Sequence, residues 1–112
     1  MKVLLDENVD IRFRFAFAGS GHEVVTAEYM GWKGVKNGAL IRSMAEHGFD
    51  ALIAVDKTLP YQQNQEHLPV AVIILDVWRN VLPTPKRFVP ELLRLFEAPL
   101  SHGVISLPDP VV

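Results

Sequence analysis

Three short stretches of the chain are apolar almost without interruption, and each stops at an aspartate. Lys2 to Leu5 runs into Asp6, Ala51 to Val55 into Asp56, and Val70 to Leu75 into Asp76. Short continuous apolar runs of this kind suit strands covered on both faces, as in a parallel sheet. Glu23 to Ala27 reads as a further strand, and Val104 to Leu107 as a last strand at a sheet edge. Between them the period changes. Asn37 opens a helix that runs through His47, with Leu40, Ile41, Met44 and Ala45 on one face and Gly48 as its stop. After Pro83 and Pro85 a second helix runs to about Ala98. Its regular part starts at Pro90, which is tolerated only in a first turn, and it offers Leu92, Leu93, Leu95 and Phe96 to the core.

Val9 to Ala18 carries both periods. Ile11, Phe13, Phe15 and Phe17 alternate with Arg12, Arg14 and Ala16, as in a half-buried strand; Val9, Phe13 and Phe17 equally fit one helical face, with Asn8 as its cap. Two parallel strands need a crossover between them, which favours the helix. The side of this segment with Phe13, Phe15 and Phe17, if exposed, suits an interface, including that of a homodimer; the same pattern equally fits buried core. Alternating strands and helices predict one α/β domain over residues 1–112, a three-layer unit with a mainly parallel sheet of four or five strands. The loop from Tyr29 to Lys36, the polar stretch from Thr58 to His67 and a tail with Pro108 and Pro110 complete the chain.

Composition narrows the function classes. The 112 residues suffice for one core. A formal net charge of -2 and an isoelectric point near 6.0 argue against a generic polyanion binder. Any basic surface must be local, drawn from Arg12, Arg14, Lys33, Lys36, Lys57, Arg79, Lys86 and Arg87. With no cysteine, disulfides and thiolate metal sites are excluded. Asp6 cuts the first apolar run too early for a signal peptide, and no stretch approaches the ~20 apolar residues of a membrane span. The expectation is a cytoplasmic protein with no membrane partner.

The chemistry lies in the strand ends. In parallel sheets ligands bind outside the carboxyl ends of the strands, near the point where the winding reverses. Clustered carboxylates repel, and a hard divalent cation such as Mg²⁺ or Mn²⁺ relieves the repulsion. Such an ion supports phosphodiester hydrolysis. Each aspartate singly has an ordinary explanation, because aspartate favours turns. The four histidines, His22, His47, His67 and His102, show no zinc-type spacing, and no phosphate-binding glycine loop is present.

Leu4-Leu5-Asp6-Glu7-Asn8, Gly21-His22-Glu23-Val24-Val25-Thr26, Asn37-Gly38-Ala39-Leu40 and Val55-Asp56-Lys57-Thr58-Leu59-Pro60-Tyr61-Gln62-Gln63-Asn64 together resemble the small bacterial PIN-like proteins. The Tyr-Gln-Gln-Asn segment points to a toxin-like subgroup. The resemblance covers most of the chain and weakens after about Val81. It implies a PIN-like nuclease fold, a cation site at the carboxylates and pairing with a small antitoxin-like protein. Asp6 matches the acid that ends strand one in active relatives, and Asp56 the acid that ends a central strand. Where many relatives carry an acid at the start of the middle helix, this chain has Asn37. An amide ligates a cation without supplying charge, and Asn37 is also a good helix cap.

The expected site therefore comprises Asp6 and Asp56 as metal ligands, with Glu7 and Asn37 completing the catalytic group. Glu7 has a second reading, as a solvated acid favoured at a helix start. Lys57, Tyr61, Gln62, Gln63 and Asn64 are the expected RNA contacts, since stacking and amide bonds suit unpaired bases; a packed loop is the plainer alternative. Trp32 and Tyr29 either stack on bases or close the edge of the core, the second being the plainer reading, and Trp78-Arg79-Asn80 are placed to line the carboxylate edge. Three functions are compatible with this pattern. One is a Mg²⁺- or Mn²⁺-dependent ribonuclease-like toxin. Another is a catalytically weak or inactive PIN-like module that binds a protein. The third is a phospho-acceptor receiver-like domain, which requires a lysine on a late strand; Asp56 and Lys57 are adjacent and leave an extended strand on opposite faces.

Overall fold

The computed structural model describes residues 1–9, 11–35, 37–55, 68–76, 88–100 and 102–108. Its centre is a five-stranded, wholly parallel sheet: β1 (Lys2–Leu5), β2 (Glu23–Thr26), β3 (Ala51–Ala54), β4 (Ala71–Asp76) and β5 (Val104–Pro108), in the order β2-β1-β3-β4-β5. The chain is an α/β domain, as its alternating pattern predicts. The register is set by Leu5 opposite Thr26 on one side and Ile53 on the other, with Ile53 in turn opposite Ile73.

The three inner strands have the continuous apolar runs because both of their faces are covered. Val3, Leu5, Ala51, Ile53, Ala71, Ile73 and Leu75 point to one face. There they meet Phe13 and Phe17 of a 3-10 helix (Ile11–Phe17), and Phe88, Leu92 and Phe96 from α2 (Val89–Leu95) and its flanks. Leu4, Leu52, Ala54, Val72 and Ile74 point to the other, against Leu40, Ile41 and Met44 of α1 (Asn37–Glu46) and Phe49. The period-two alternation of a strand produces this division. Each fully buried Leu, Ile, Val, Met or Phe contributes about 1.5–3 kcal/mol relative to an exposed one. The strands and their two helical coats are thus held by one continuous mechanism.

Several elements depart from their sequence reading. The segment after β1 is a 3-10 helix; a turn with Val9 N bonded to Asp6 O at 2.9 Å precedes it, and a bond of the same three-residue span, Ala18 N to Phe15 O at 3.2 Å, ends it. Val9, Phe13 and Phe17, the set at four-residue spacing, are buried, and Phe13 meets Phe17 edge-on at 5.2 Å. Phe13 and Phe17 are core and of the three only Phe15 is exposed, so no patch of three phenylalanines forms; Ile11, four residues earlier, is also exposed. Ala45 also points to solvent, because the apolar stripe of α1 is narrower than predicted. Strand β2 stops at Thr26 and α2 at Leu95, each short of its expected end. Gly48 ends the turn after α1 with φ +76°, in the left-handed region where a side chain is disfavoured. Among the described residues no helix is long and apolar enough to cross a membrane.

Candidate functional site

The strand order places the reversal of winding between β1 and β3: the chain moves from β1 outward to β2, then returns past β1 to build β3, β4 and β5. In open parallel sheets this is where a crevice opens outside the carboxyl ends of the strands. Asp6 stands at that point. It follows the last residue of β1, and its backbone N–H donates to Ile53 O of β3 at 2.9 Å, so it is bound to both strands that flank the reversal.

Asp6 is only 7% exposed, and among the described residues Thr26 is the one other polar side chain so deeply buried. Its Oδ2 accepts hydrogen bonds from the Asn8 backbone N–H at 3.4 Å and from the Asn8 side-chain amide at 3.3 Å. Asn8, read from sequence as a helix cap, therefore also supports Asp6. Burial pushes the Asp6 carboxyl above the usual aspartate range; backbone bonds from Asn8 and Glu7 oppose the shift, and the charge of Glu7 adds to it. The turn-forming explanation of a strand-end aspartate holds here as well, since the bond to the Asn8 backbone is a local turn. What that explanation does not require is the burial.

Glu7 is exposed, and its Oε2 accepts the backbone N–H of Gly34 at 3.0 Å, across 27 residues. Asn37 opens α1 and lies in the segment that follows this contact. Thr26, at the carboxyl end of β2, uses its hydroxyl to accept the Tyr29 N–H at 3.1 Å and so shapes the same loop. Neither Thr26 nor Gly34 was singled out by the sequence pattern. The available signal was the pair of glycines around Trp32-Lys33, and Gly34 does have φ +83°.

Asp76 ends β4 with its partner Pro108 on β5. Strand β3 lies between it and β1. Two strand spacings separate the strands of Asp6 and Asp76 by about 10 Å, and the register sets Asp76 two residues further along. The two do not belong to one small cation site. Among the described residues no group of three or more acids or histidines gathers in a metal-binding arrangement. Asp56, Lys57, Tyr61, Gln62, Gln63 and Asn64 lie outside the described residues, as do Trp78, Arg79, Asn80 and His67. Strand β3, which leads toward Asp56 in sequence, has its carboxyl end beside that of β1.

The remaining candidates divide plainly. The Trp32 ring packs on His47 at 5.1 Å and on Phe49 at 5.8 Å, closing the edge of the core as expected. Tyr29, 73% exposed, does not. His47 Nδ1 lies 2.8 Å from Ser43 O, and His22 Nδ1 lies 3.0 Å from the Met1 amine, with its ring against Phe96. Burial, then the nearby amine, lowers the His22 pKa. These histidines serve the fold. Strands β4, Ala-Val-Ile-Ile-Leu-Asp, and β5, Val-Ile-Ser-Leu-Pro, carry no lysine, the feature that a receiver-like site requires on a late strand. Comparison with protein-family models, with curated proteins and with solved structures found no match to this chain.

Proposed function

We propose that the chain is a metal-dependent ribonuclease-like protein, the toxin-like member of a toxin–antitoxin pair, with Asp6 and Asp56 as the cation ligands. The observation that carries this reading is Asp6: a carboxylate buried to 7% exposure beside the reversal of a parallel sheet, with its pKa raised by burial. A fold gains nothing from a desolvated charge in that position unless something compensates it. An all-oxygen donor set of carboxylate and amide suits Mg²⁺ or Mn²⁺. The resemblance of the Leu-Leu-Asp-Glu-Asn and Tyr-Gln-Gln-Asn segments to PIN-like proteins supplies the reaction class.

A bound divalent cation would supply water activation and charge stabilisation for phosphodiester hydrolysis. The chain's own residues do the rest. Asp6 would hold the cation, and Asn8 fixes its carboxylate through Oδ2. Asp56 brings the second negative charge. Asn37 would offer an uncharged oxygen at the start of α1, and Glu7 supports the group from outside the ligand set. Lys57, Tyr61, Gln62, Gln63 and Asn64 hold single-stranded RNA by charge, stacking and amide contacts. Calorimetric titration with Mn²⁺ and Mg²⁺ to millimolar concentration tests the site. Binding that is lost in Asp6→Asn supports it, and absence of binding to the wild type counts against it.

A second reading keeps the fold but not the catalysis: a PIN-like module that binds a protein partner. It is favoured by Asn37 standing where an acid is expected, and by Ile11 and Phe15, apolar and 52% and 63% exposed. A tight complex with the product of a neighbouring gene, unchanged by Asp6→Asn in a protein that cleaves no RNA, would favour this reading over the first.

A further inference from the structure

The structure gives Glu7 a task that its place beside Asp6 conceals. Glu7 Oε2 accepts the Gly34 N–H at 3.0 Å. Gly34 sits at φ +83°, and the space around its Cα is open, so its glycine identity answers to the backbone conformation and not to crowding. The bond joins the turn after β1 to the loop between β2 and α1. That loop is already tied to the sheet at its near end, where Ala27 N donates to Leu5 O at 3.1 Å and Trp32 N to Ala27 O at 2.8 Å. Gly34 is its far end, three residues before α1 begins at Asn37. Because α1 leads from the carboxyl end of β2 back to the start of β3, its first turn lies toward the edge that holds Asp6.

We propose that Glu7 is a positioning residue: its carboxylate anchors the loop between β2 and α1 to the carboxyl end of β1, and so fixes the first turn of α1 at the edge of the sheet that holds Asp6. The anchoring stands on the hydrogen bond alone. Its consequence for the cation site rests on the function proposed above. A ligand role would demand the charge of Glu7. A positioning role demands only an acceptor oxygen, which glutamine retains and alanine lacks.

Two readouts on the full chain separate these roles: amide hydrogen exchange at Gly34, followed by NMR without divalent cation, and Mn²⁺ affinity by calorimetry, each for the wild type, Glu7→Gln and Glu7→Ala. In Glu7→Ala the Gly34 amide should exchange about tenfold faster, the scale of losing a bond to a charged acceptor. In Glu7→Gln part of that protection should return, since a neutral acceptor bonds more weakly than a carboxylate, with Mn²⁺ affinity within about twofold of the wild type. Unchanged Gly34 exchange in Glu7→Ala would overturn the anchor. Gly34 protection kept above that of Glu7→Ala, with a collapse of Mn²⁺ affinity in Glu7→Gln, would make Glu7 a ligand and overturn the positioning role. If the wild type binds no Mn²⁺, the cation reading fails while the exchange measurement still decides the anchor.

Discussion

Replacing Asp6 by asparagine should stabilise the cation-free protein at neutral pH while removing its principal candidate ligand. Asp6 is 7% exposed, and Asn8 donates two hydrogen bonds to its Oδ2. An asparagine carbonyl oxygen accepts the same bonds in nearly the same volume. The substitution therefore removes a desolvated charge and little else. In the unfolded chain the carboxyl titrates near its ordinary value of about 3.9; in the folded protein burial holds it higher. Between the two values the unfolded chain has lost a proton that the native state keeps. Stability then falls as pH rises, by at most about 1.4 kcal/mol per pH unit from this group. The penalty is absent below the unfolded value and complete above the folded one. Asparagine has no such penalty, so the stability of the variant minus that of the wild type should climb above about pH 4 and then level off. Urea denaturation at a series of pH values, with chelator present, measures this difference. Saturating Mn²⁺ should reverse the order, since ligand at a hundred times its dissociation constant stabilises by about 2.7 kcal/mol. A variant less stable than the wild type at every pH, or a difference that does not change with pH, would refute the reasoning.

Other expectations follow from packing. Phe13→Ala should cost about 3–5 kcal/mol and Phe15→Ala less than about 0.5 kcal/mol by chemical denaturation, because Phe13 is 2% exposed and Phe15 63%; equal costs would mean that the segment is not the 3-10 helix described. Met44→Ala and Leu92→Ala, on opposite faces of the sheet, should each cost about 2–5 kcal/mol and add within about 0.5 kcal/mol in the double variant. Strong coupling between them would show that the sheet does not separate the two cores.

The strands were legible because β1, β3 and β4 are inner strands whose two buried faces leave an unbroken apolar run. The end of α1 was legible from Gly48, and the start of α2 from Pro90. The segment from Val9 to Ala18 was ambiguous for a physical reason: alternate phenylalanines satisfy a two-residue period, while Val9, Phe13 and Phe17 satisfy a four-residue one. Burial decides for the second. Asp6 was visible as a strand-end acid, but its burial was not, since burial depends on strand order, and order is set by contacts far apart in sequence. The same holds for Glu7, whose partner is 27 residues away and is a backbone amide, a group with no signature in the sequence beyond the glycine that carries it. The separation of Asp76 from Asp6 likewise required knowing that β3 lies between β1 and β4.

The proposed function makes Asp6 and Asp56 the ligands of a cation-dependent nuclease. Cleavage of single-stranded RNA with Mn²⁺ or Mg²⁺, comparing the wild type with Asp6→Asn and Asp56→Asn, tests it most directly. Cleavage should require the cation and disappear in both variants. Folded, cation-supplied wild-type protein that leaves RNA intact, or cleavage indifferent to both substitutions, would contradict it.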